Sequence, residues 1–200
     1  MSVAHPFVAG HSEEGIAVID LESKPPVHFL LRYSDSLRKV DTYHEHKLIE
    51  QKLGSVWWGK FGIGISERLV KQIKKQIKSG KPTYVYLATH RKIEYRARLL
   101  DILGGGLRGA YKPKERNLVP SYYRGEQCSL WFRLGDITPA TEQDRSNLVL
   151  YNAPYMRPQL TGMRGLIYVR KGKSSPKRED DDSSWSIDTF ESDFDEYPEN

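Results

Sequence analysis

The chain is nearly without cysteine: Cys128 is the single one in 200 residues. An internal disulfide and a Cys-x-x-Cys metal knuckle are therefore excluded. An intracellular compartment, cytoplasmic or nuclear/nucleoid, is the default expectation. No apolar run approaches the ~20 residues that span a bilayer. There is also no basic helix with an aromatic apolar face to lie on an anionic membrane, so no membrane partner is expected. The opening "MSVAHPFVAGHSEEG" shows no basic stretch followed by an apolar core, which is the pattern of a secretory signal. Internal repeats are missing. So is the Gly-x-x-x-x-Gly-Lys-Ser/Thr phosphate loop, although residues 104–106 are all glycine.

What is present is aromatic and unevenly charged. Twelve Tyr, six Phe and four Trp exclude a wholly disordered chain. The net charge of +5 conceals two opposed regions. Residues 179–200 hold ten acids and no Lys or Arg, which leaves 31 basic and 16 acidic residues in 1–178. A body of +15 is the electrostatic footprint of a polyanion binder; the bland reading is plain solubility. The −10 tail also carries Trp185, Ile187, Phe190, Phe194 and Tyr197. An acidic segment with that many apolar side chains suits docking on a basic surface.

The patterning predicts an arm over 1–25, a folded domain over 26–171 and a disordered acidic tail over 172–200. "PVHFLLRY" (Pro26–Tyr33) is a first strand. In "DTYHEHKLIEQKLG", Asp41 caps a helix, Leu48, Ile49 and Leu53 give its apolar stripe, and Gly54 closes it. "SERLVKQIKKQIKSGKP" is the clearest helix. Leu69, Val70, Ile73 and Ile77 make one face; Lys71, Lys74, Lys75 and Lys78 share the opposite one. That lysine face is either simply solvated or phosphate-facing. "TYVYLATHRKIEYRARLLDIL" reads as two strands joined around His90–Lys92, with Arg96 and Arg98 on the side away from Tyr95 and Leu99. Residues 104–127 read as a long glycine-rich loop carrying Lys112, Lys114, Arg116, Tyr122 and Tyr123, of the kind that binds ligands. "CSLWFRLGDI" (Cys128–Ile137) is a strand, residues 141–154 a short helix or turn, and "RGLIYVRK" (Arg164–Lys171) the last strand.

Two tryptophans stand side by side in "SVWWGKFGI". Strict alternation assigns Trp57, Gly59 and Phe61 to one face and Val56, Trp58 and Lys60 to the other. Trp57 and Phe61 are the expected core pair, so Trp58 beside Lys60 is the ring needing a purpose. In "CSLWFRLGD", Cys128, Leu130, Phe132 and Leu134 form the core face, which leaves Trp131 and Arg133 together on the other. Tryptophan followed two residues later by a cation thus occurs twice. Rings stack on bases while a neighbouring cation meets phosphate. The two strands together predict a base pocket with a basic rim and Tyr122 and Tyr123 as its lid. The competing reading is that both rings are simply buried. Gly59 leaves a gap that a neighbouring backbone or a flat ligand would fill.

Catalytic signals are sparse. His44 and His46 are about 200° apart around a helix, poor geometry for a shared metal, and read as part of a polar face. Cys128 points into the predicted core, unlike a reactive nucleophile. Asp101 and Asp136 at strand ends are the only opening for a metal-dependent nuclease. No cofactor or metal is expected, and the chain reads as a binding protein rather than an enzyme.

The order "VWWGKFG…ISERLVKQIKKQIKSGKPTYVYLAT", then "VPSYYR", then "CSLWFRLGDI" resembles the small barrels of the PUA-like superfamily over about residues 26–171. Within it, EVE-type domains and their YTH relatives are the most similar. That resemblance implies an α+β fold: a small mixed β-barrel of five or six strands with flanking helices. It also implies an aromatic pocket for a single modified base. Trp57, Trp58 and Trp131 carry over as pocket candidates. The opening strand lacks the Trp-Leu/Phe-Lys-Ser/Thr-Glu-Pro pattern of typical EVE chains. The expected partner is nucleic acid, DNA or RNA, held by Lys60, Arg96, Arg98, Arg133, Lys112, Lys114, Arg116 and the lysine helix. The acidic tail would modulate this binding or recruit a basic protein. The rival classes are an adaptor acting through residues 179–200 and the metal-dependent nuclease.

Overall fold

Rings on distant strands touch in the core. In the computed structural model, which describes residues 25–35, 40–106, 108–163 and 165–173, Phe29 and Phe132 meet edge-on at 5.2 Å. Phe29 lies on β1 (His28–Arg32) and Phe132 on β5 (Leu130–Pro139). Two strands separate them, β3 (Tyr84–Ala88) and β4 (Ile93–Gly104), in a seven-stranded sheet whose order is β2-β5-β4-β3-β1-β7-β6. Here β2 is Val56–Lys60, β6 Leu148–Leu150 and β7 Leu166–Lys171. Three inter-strand steps span about 14 Å in a flat sheet, so this sheet is strongly curled.

The curl has local causes. Register shifts at Leu87/Ala88, Arg96/Arg98 and Leu99/Asp101 interrupt the ladders of β4 with both neighbours, and bulges bend and over-twist a strand. Gly135 sits opposite Arg98 at one of them. A Cβ there would lie 3.0 Å from Leu100 Cδ1 and 3.2 Å from the Gly54 carbonyl, so glycine is what lets β5 pass that close. One pairing is parallel, β1 with β3; the rest are antiparallel.

The α+β class of the sequence expectation holds, with two differences. Among the described residues there are seven strands rather than five or six, and the sheet does not close into a barrel: no ladder there joins β2 to the far side. The far side nevertheless comes close, since a Cβ on Gly165, just before β7, would be 3.5 Å from Lys60 Cε. The expected tail, its tryptophan and its acids lie outside the described residues, as do nearly all of the N-terminal arm and Arg164.

Two helices pack inside the curl. In α2 (Glu67–Lys78) the expected pattern is seen. Ser66 accepts from the Leu69 amide at 3.3 Å, Val70 and Ile73 are buried, and Gly80 has φ 76°. The Gln76 carboxamide exchanges two 2.9 Å hydrogen bonds with the Val27 backbone and donates to Thr83 at 2.7 Å, which fastens α2 to the start of β1.

The other helix, α1 (Thr42–Leu53), is capped as expected by Asp41 and by Gly54 at φ 76°. Of the expected apolar stripe, Ile49 packs on the main core, but the rest of the buried face is different. Leu48 and Leu53 are 49 % and 42 % exposed, and Thr42, His46 and Glu50, spaced four apart, are buried. Each is satisfied at least in part. The Thr42 amide donates to Asp35 at 2.9 Å, and His46 Nδ1 donates to the Thr42 carbonyl at 2.7 Å. Glu50 accepts from the Asp136 amide at 3.0 Å and from Lys47 at 2.6 Å. Asp136 carries a positive φ of 50° inside β5, in the bulge between the Arg98–Gly135 and Arg96–Thr138 pairings. Glu50, with Lys47 donating to the Ile137 carbonyl at 2.8 Å, holds that bulge.

The expected open loop at 104–127 is instead a cover. Its two 3-10 turns, Arg116–Leu118 and Ser121–Tyr123, pack Leu118, Val119 and Tyr123 onto Trp57, Cys128 and Trp131. Tyr111 and Cys128 pair through their backbones, and Trp131 Nε1 donates to the Tyr111 carbonyl at 2.8 Å. The short helix expected after residue 140 is α3 (Glu142–Ser146), closed by a reciprocal capping box between Thr141 and Asp144.

Gly59 tests this cover. A Cβ there would lie 2.7 Å from Cys128 Sγ and 3.0 Å from the Trp131 ring, so protein side chains fill the expected gap. Gly59→Ala is expected to lower stability by about 1–3 kcal/mol through overpacking, measured as a shift in the denaturant midpoint. A loss below about 0.5 kcal/mol would show that the Cys128–Trp131 layer yields freely.

Candidate nucleic-acid interface

The two adjacent tryptophans do face opposite sides of β2, but both sides are covered. Trp58, with Val56, belongs to the main core inside the curl; Trp57 joins Cys128 and Trp131 beneath the 104–127 cover. Their exposures are 2 % and 3 %. Alternation placed them on separate faces correctly and named the wrong one as the main core. The expected partner of Trp57 fails because β2 ends at Lys60. The chain then turns through Gly62 at φ 79°, which leaves Phe61 41 % exposed.

Strand register also separates the two expected pocket rings. Trp58 pairs with Phe132 and Gly59 with Trp131, so Trp58 and Trp131 lie on opposite faces of the sheet. They cannot line one pocket. Trp131 is fully buried beneath the cover.

A cavity of about 740 Å³ opens where the sheet fails to close. On one side stand Trp58, Gly59, Lys60 and Phe61 from the end of β2; on the other, Leu31 to Ser34 from the end of β1, and Gly165. Thr42 of α1 and the Tyr122–Tyr123 pair complete the wall. Of the expected pocket residues, Trp58, Tyr122 and Tyr123 are here, with Lys60. Trp57 and Trp131 are not.

The rings form a continuous set. His46 stacks on Trp58 at 3.8 Å, and Tyr33 meets Trp58 edge-on at 5.7 Å. Tyr122 and Tyr123 lie 4.5 Å apart, and Tyr123 tilts against Phe61 at 5.7 Å. Trp58 is the floor, backed by His46. Tyr33 and Tyr122, both half-buried, and Phe61 are the rings open to an incoming ligand. Tyr33 is fixed by a 2.6 Å bond to Glu94, and burial first, then that carboxylate, pushes its phenol well above the usual range. Burial does the same to Tyr122. Both hydroxyls therefore keep their protons.

Two cations border the cavity. Arg32 is exposed, and among the described residues its guanidinium donates to the Met163 carbonyl at 3.0 Å. Lys60 is half-buried and donates to the Phe61 and Ile63 carbonyls, at 3.1 and 2.5 Å, which fastens the turn after β2. Burial lowers its pKa. No carboxylate is among the described lining residues. A planar neutral or anionic group fits this chemistry. An ammonium group would meet two positive charges in the wall, while the nearby carboxylates Asp35 and Glu94 are already bonded to the Thr42 amide and the Tyr33 hydroxyl.

The remaining expected phosphate contacts lie elsewhere. Arg133 donates to Ser55 Oγ at 3.1 Å. Arg96 and Arg98 occupy the outer face of β4, as their alternation with Tyr95 predicts; Arg96 pairs with Asp144 at 3.1 Å. Lys112, Lys114 and Arg116 are exposed on the cover, and Lys71, Lys75 and Lys78 on α2, where Lys74 reaches Asp101 at 3.8 Å. None of these lines the cavity. Asp101 and Asp136 join no group of three or more potential metal ligands among the described residues. Among the same residues, no helix is long and apolar enough to cross a membrane.

Sequence reasoning missed Arg32, Tyr33, Phe61 and His46. The first two carried a signal: a cation and an aromatic together at the end of the first strand repeat the Trp-cation logic applied to β2. His46 carried none, because a helical histidine among charged neighbours reads as solvated.

His46 is buried, and burial drives its pKa down to about 3, against weaker opposing effects of the Thr42 and Trp57 backbones. Burial, then the Lys171 charge, lowers that of His28 to about 4. Both imidazoles stay neutral in the fold at pH values where the unfolded chain, with a histidine pKa near 6.5, binds protons. Stability is therefore full above about pH 6.5 and is lost as pH falls toward 4 and then 3, by at most about 1.4 kcal/mol per pH unit per histidine. His46→Gln is expected to reduce the proton uptake on unfolding at pH 5 by about one, read from the pH dependence of denaturant unfolding. An unchanged slope would contradict a neutral, buried His46.

The family comparison agrees with this architecture. A family model described as Pua-like matches residues 29–160, which takes in the strands from β1 to β6 and α1 to α3. No curated protein matches the chain. The chain belongs to the Pua-like family.

Proposed function

We propose that this protein binds nucleic acid and admits one base, a modified base being the sharper expectation, into the seam cavity. The observation that carries this is the cavity itself: about 740 Å³, walled by Trp58, Tyr33, Phe61 and Tyr122, with Arg32 and Lys60 beside it and no described carboxylate within it. Pua-like domains generally bind RNA or other nucleic acids, which supports the same reading. A base entering the seam would stack on the open rings, and Arg32 would meet the adjoining phosphate. The exposed lysines of α2 and of the cover add a diffuse positive field that draws the strand in.

The acidic tail fits this reading as a competitor for the basic body. Its ten acids face a body of +15. Residues 179–200 would occupy the cationic surface at low salt and yield to nucleic acid, or engage a basic protein partner. No specific observation in the described residues favours an adaptor or a nuclease.

Fluorescence anisotropy with single-stranded oligonucleotides, unmodified and base-methylated, tests the proposal. Affinity should fall as salt is raised. Tyr122→Ala and Phe61→Ala should each cost about 1–3 kcal/mol, roughly 5- to 150-fold in Kd. Arg32→Ala should lower the slope of log K against log salt by about one. Binding that ignores both salt and these variants would sink the reading. Removing residues 179–200 should tighten binding at low salt, with the gain vanishing at high salt; equal affinity at every salt rejects the competing tail.

A further inference from the structure

A second cavity lies on the outer face of the sheet, where β3 and β4 present the side chains that alternate with the main core. Its volume is about 290 Å³, and Tyr86, Arg96, Asp144, Asn147 and Lys171 are in its wall. Tyr86 and Arg96 are directly paired across β3 and β4. Lys171 comes from the end of β7, and Asp144 and Asn147 from α3 and the residue after it. Four elements thus converge on one small polar space.

The donors there outnumber the acceptors. Asp144 is already engaged: its carboxylate accepts from the Thr141 amide at 3.1 Å, the Thr141 hydroxyl at 2.9 Å and Arg96 at 3.1 Å. One guanidinium nitrogen of Arg96 makes that bond, and the fork has further N–H groups to offer. Lys171 Nζ sits 4.8 Å from the centroid of the Tyr84 ring, and Arg96 Cζ lies 5.2 Å from the same centroid. Two cations thus flank one ring against a single carboxylate. Lys171 makes no ion pair among the described residues.

Tyr86 adds the observation that points to a ligand. The residue is fully buried, and its hydroxyl has no hydrogen-bond partner among the described residues. Burial keeps that phenol protonated, so it is a donor. A buried hydroxyl without a partner is uncommon, because it has lost water and gained nothing. A ligand oxygen beside Arg96 would restore the missing bond. Underneath, His28 stands edge-on to Tyr84 and Tyr86 at 5.5 and 6.3 Å. It is neutral, so it neither adds positive charge to the cavity nor supplies an anion to quench it.

We propose that this outer cavity binds a single phosphate group, held by the Arg96 fork, the Lys171 ammonium and the Tyr86 hydroxyl. The site is independent of the seam cavity: it lies on the other face of the sheet and shares no lining residue with it. The phosphate is either free or the terminal group of a nucleic-acid strand, and the chemistry of recognition is the same.

Isothermal titration of the full chain with inorganic phosphate, at constant ionic strength set by chloride, tests the site. Saturable one-to-one binding is expected, weakened at least five-fold by Lys171→Ala and by Tyr86→Phe and untouched by Phe61→Ala. Lys171 is exposed, so its removal leaves the core intact. A second arm compares 5′-phosphorylated with unphosphorylated oligonucleotides. A preference that Lys171→Ala abolishes assigns the site to strand ends; phosphate binding without that preference assigns it to the free ion. Heats that never saturate, or binding unmoved by both variants, would overturn the proposal and leave water as the partner of Tyr86. Phe61→Ala keeps failure here separate from failure of the seam reading, because it acts on the seam alone.

Discussion

The curl that brings Phe29 against Phe132 sets the shape of everything else. Those rings meet only because the sheet curls through three strand spacings. The curl brings the end of β2 opposite the end of β1, where Tyr33 touches Trp58 and Gly165 lies beside Lys60. Ring contacts cross the seam; a hydrogen-bonded ladder does not. A fully closed barrel fills its interior with side chains. Here the missing last pairing leaves a cavity walled by backbone ends and aromatic faces, so the site is a consequence of incomplete closure.

Covering both faces of β2 follows from the same arrangement. An edge strand at a seam exposes its backbone and its rings. Residues 104–127 shield the Trp57 side, while α1 shields the Trp58 side with His46 as its innermost residue. A neutral imidazole is a flat group that can stack on an indole and still donate to the Thr42 carbonyl. A leucine at that position would pack on Trp58 without taking the Thr42 bond. The polar face of α1 is therefore a docking surface matched to the β5 bulge at Asp136 and Ile137, which an aliphatic stripe could not hold.

Legibility from the sequence tracked how local the cause was. Both helices were readable because caps and glycine stops act within a few residues: Asp41, Gly54, Ser66 and Gly80 all behave as their chemistry dictates. The side of Arg96 and Arg98 was readable too, since alternation is a strand's own property. The inner face of α1 was not, because its residues are buried by partners on other elements: Trp58 of β2 against His46, and Asp136 of β5 against Glu50. The failure at Trp57 has the same origin. Alternation says that two neighbouring side chains part; only the sheet order says what covers each. The cover itself hid behind its composition, since five glycines and two prolines in residues 104–127 read as an open loop until Trp57 and Trp131 are placed beneath it.

Charge and aromaticity around the seam narrow the ligand more than either does alone. Rings by themselves would suit a methylated ammonium as well as a base. Arg32 and Lys60, with no described carboxylate in the wall, tip that balance: a cation would meet two like charges, whereas a base would bring its own phosphate. Lys60 contributes partly through structure, because its ammonium ties the Phe61 and Ile63 carbonyls and so fixes the position of the most exposed ring. Its lowered pKa reflects that half-buried setting. The cation freer to meet a phosphate is Arg32, at the end of the strand whose ring contact opens the seam.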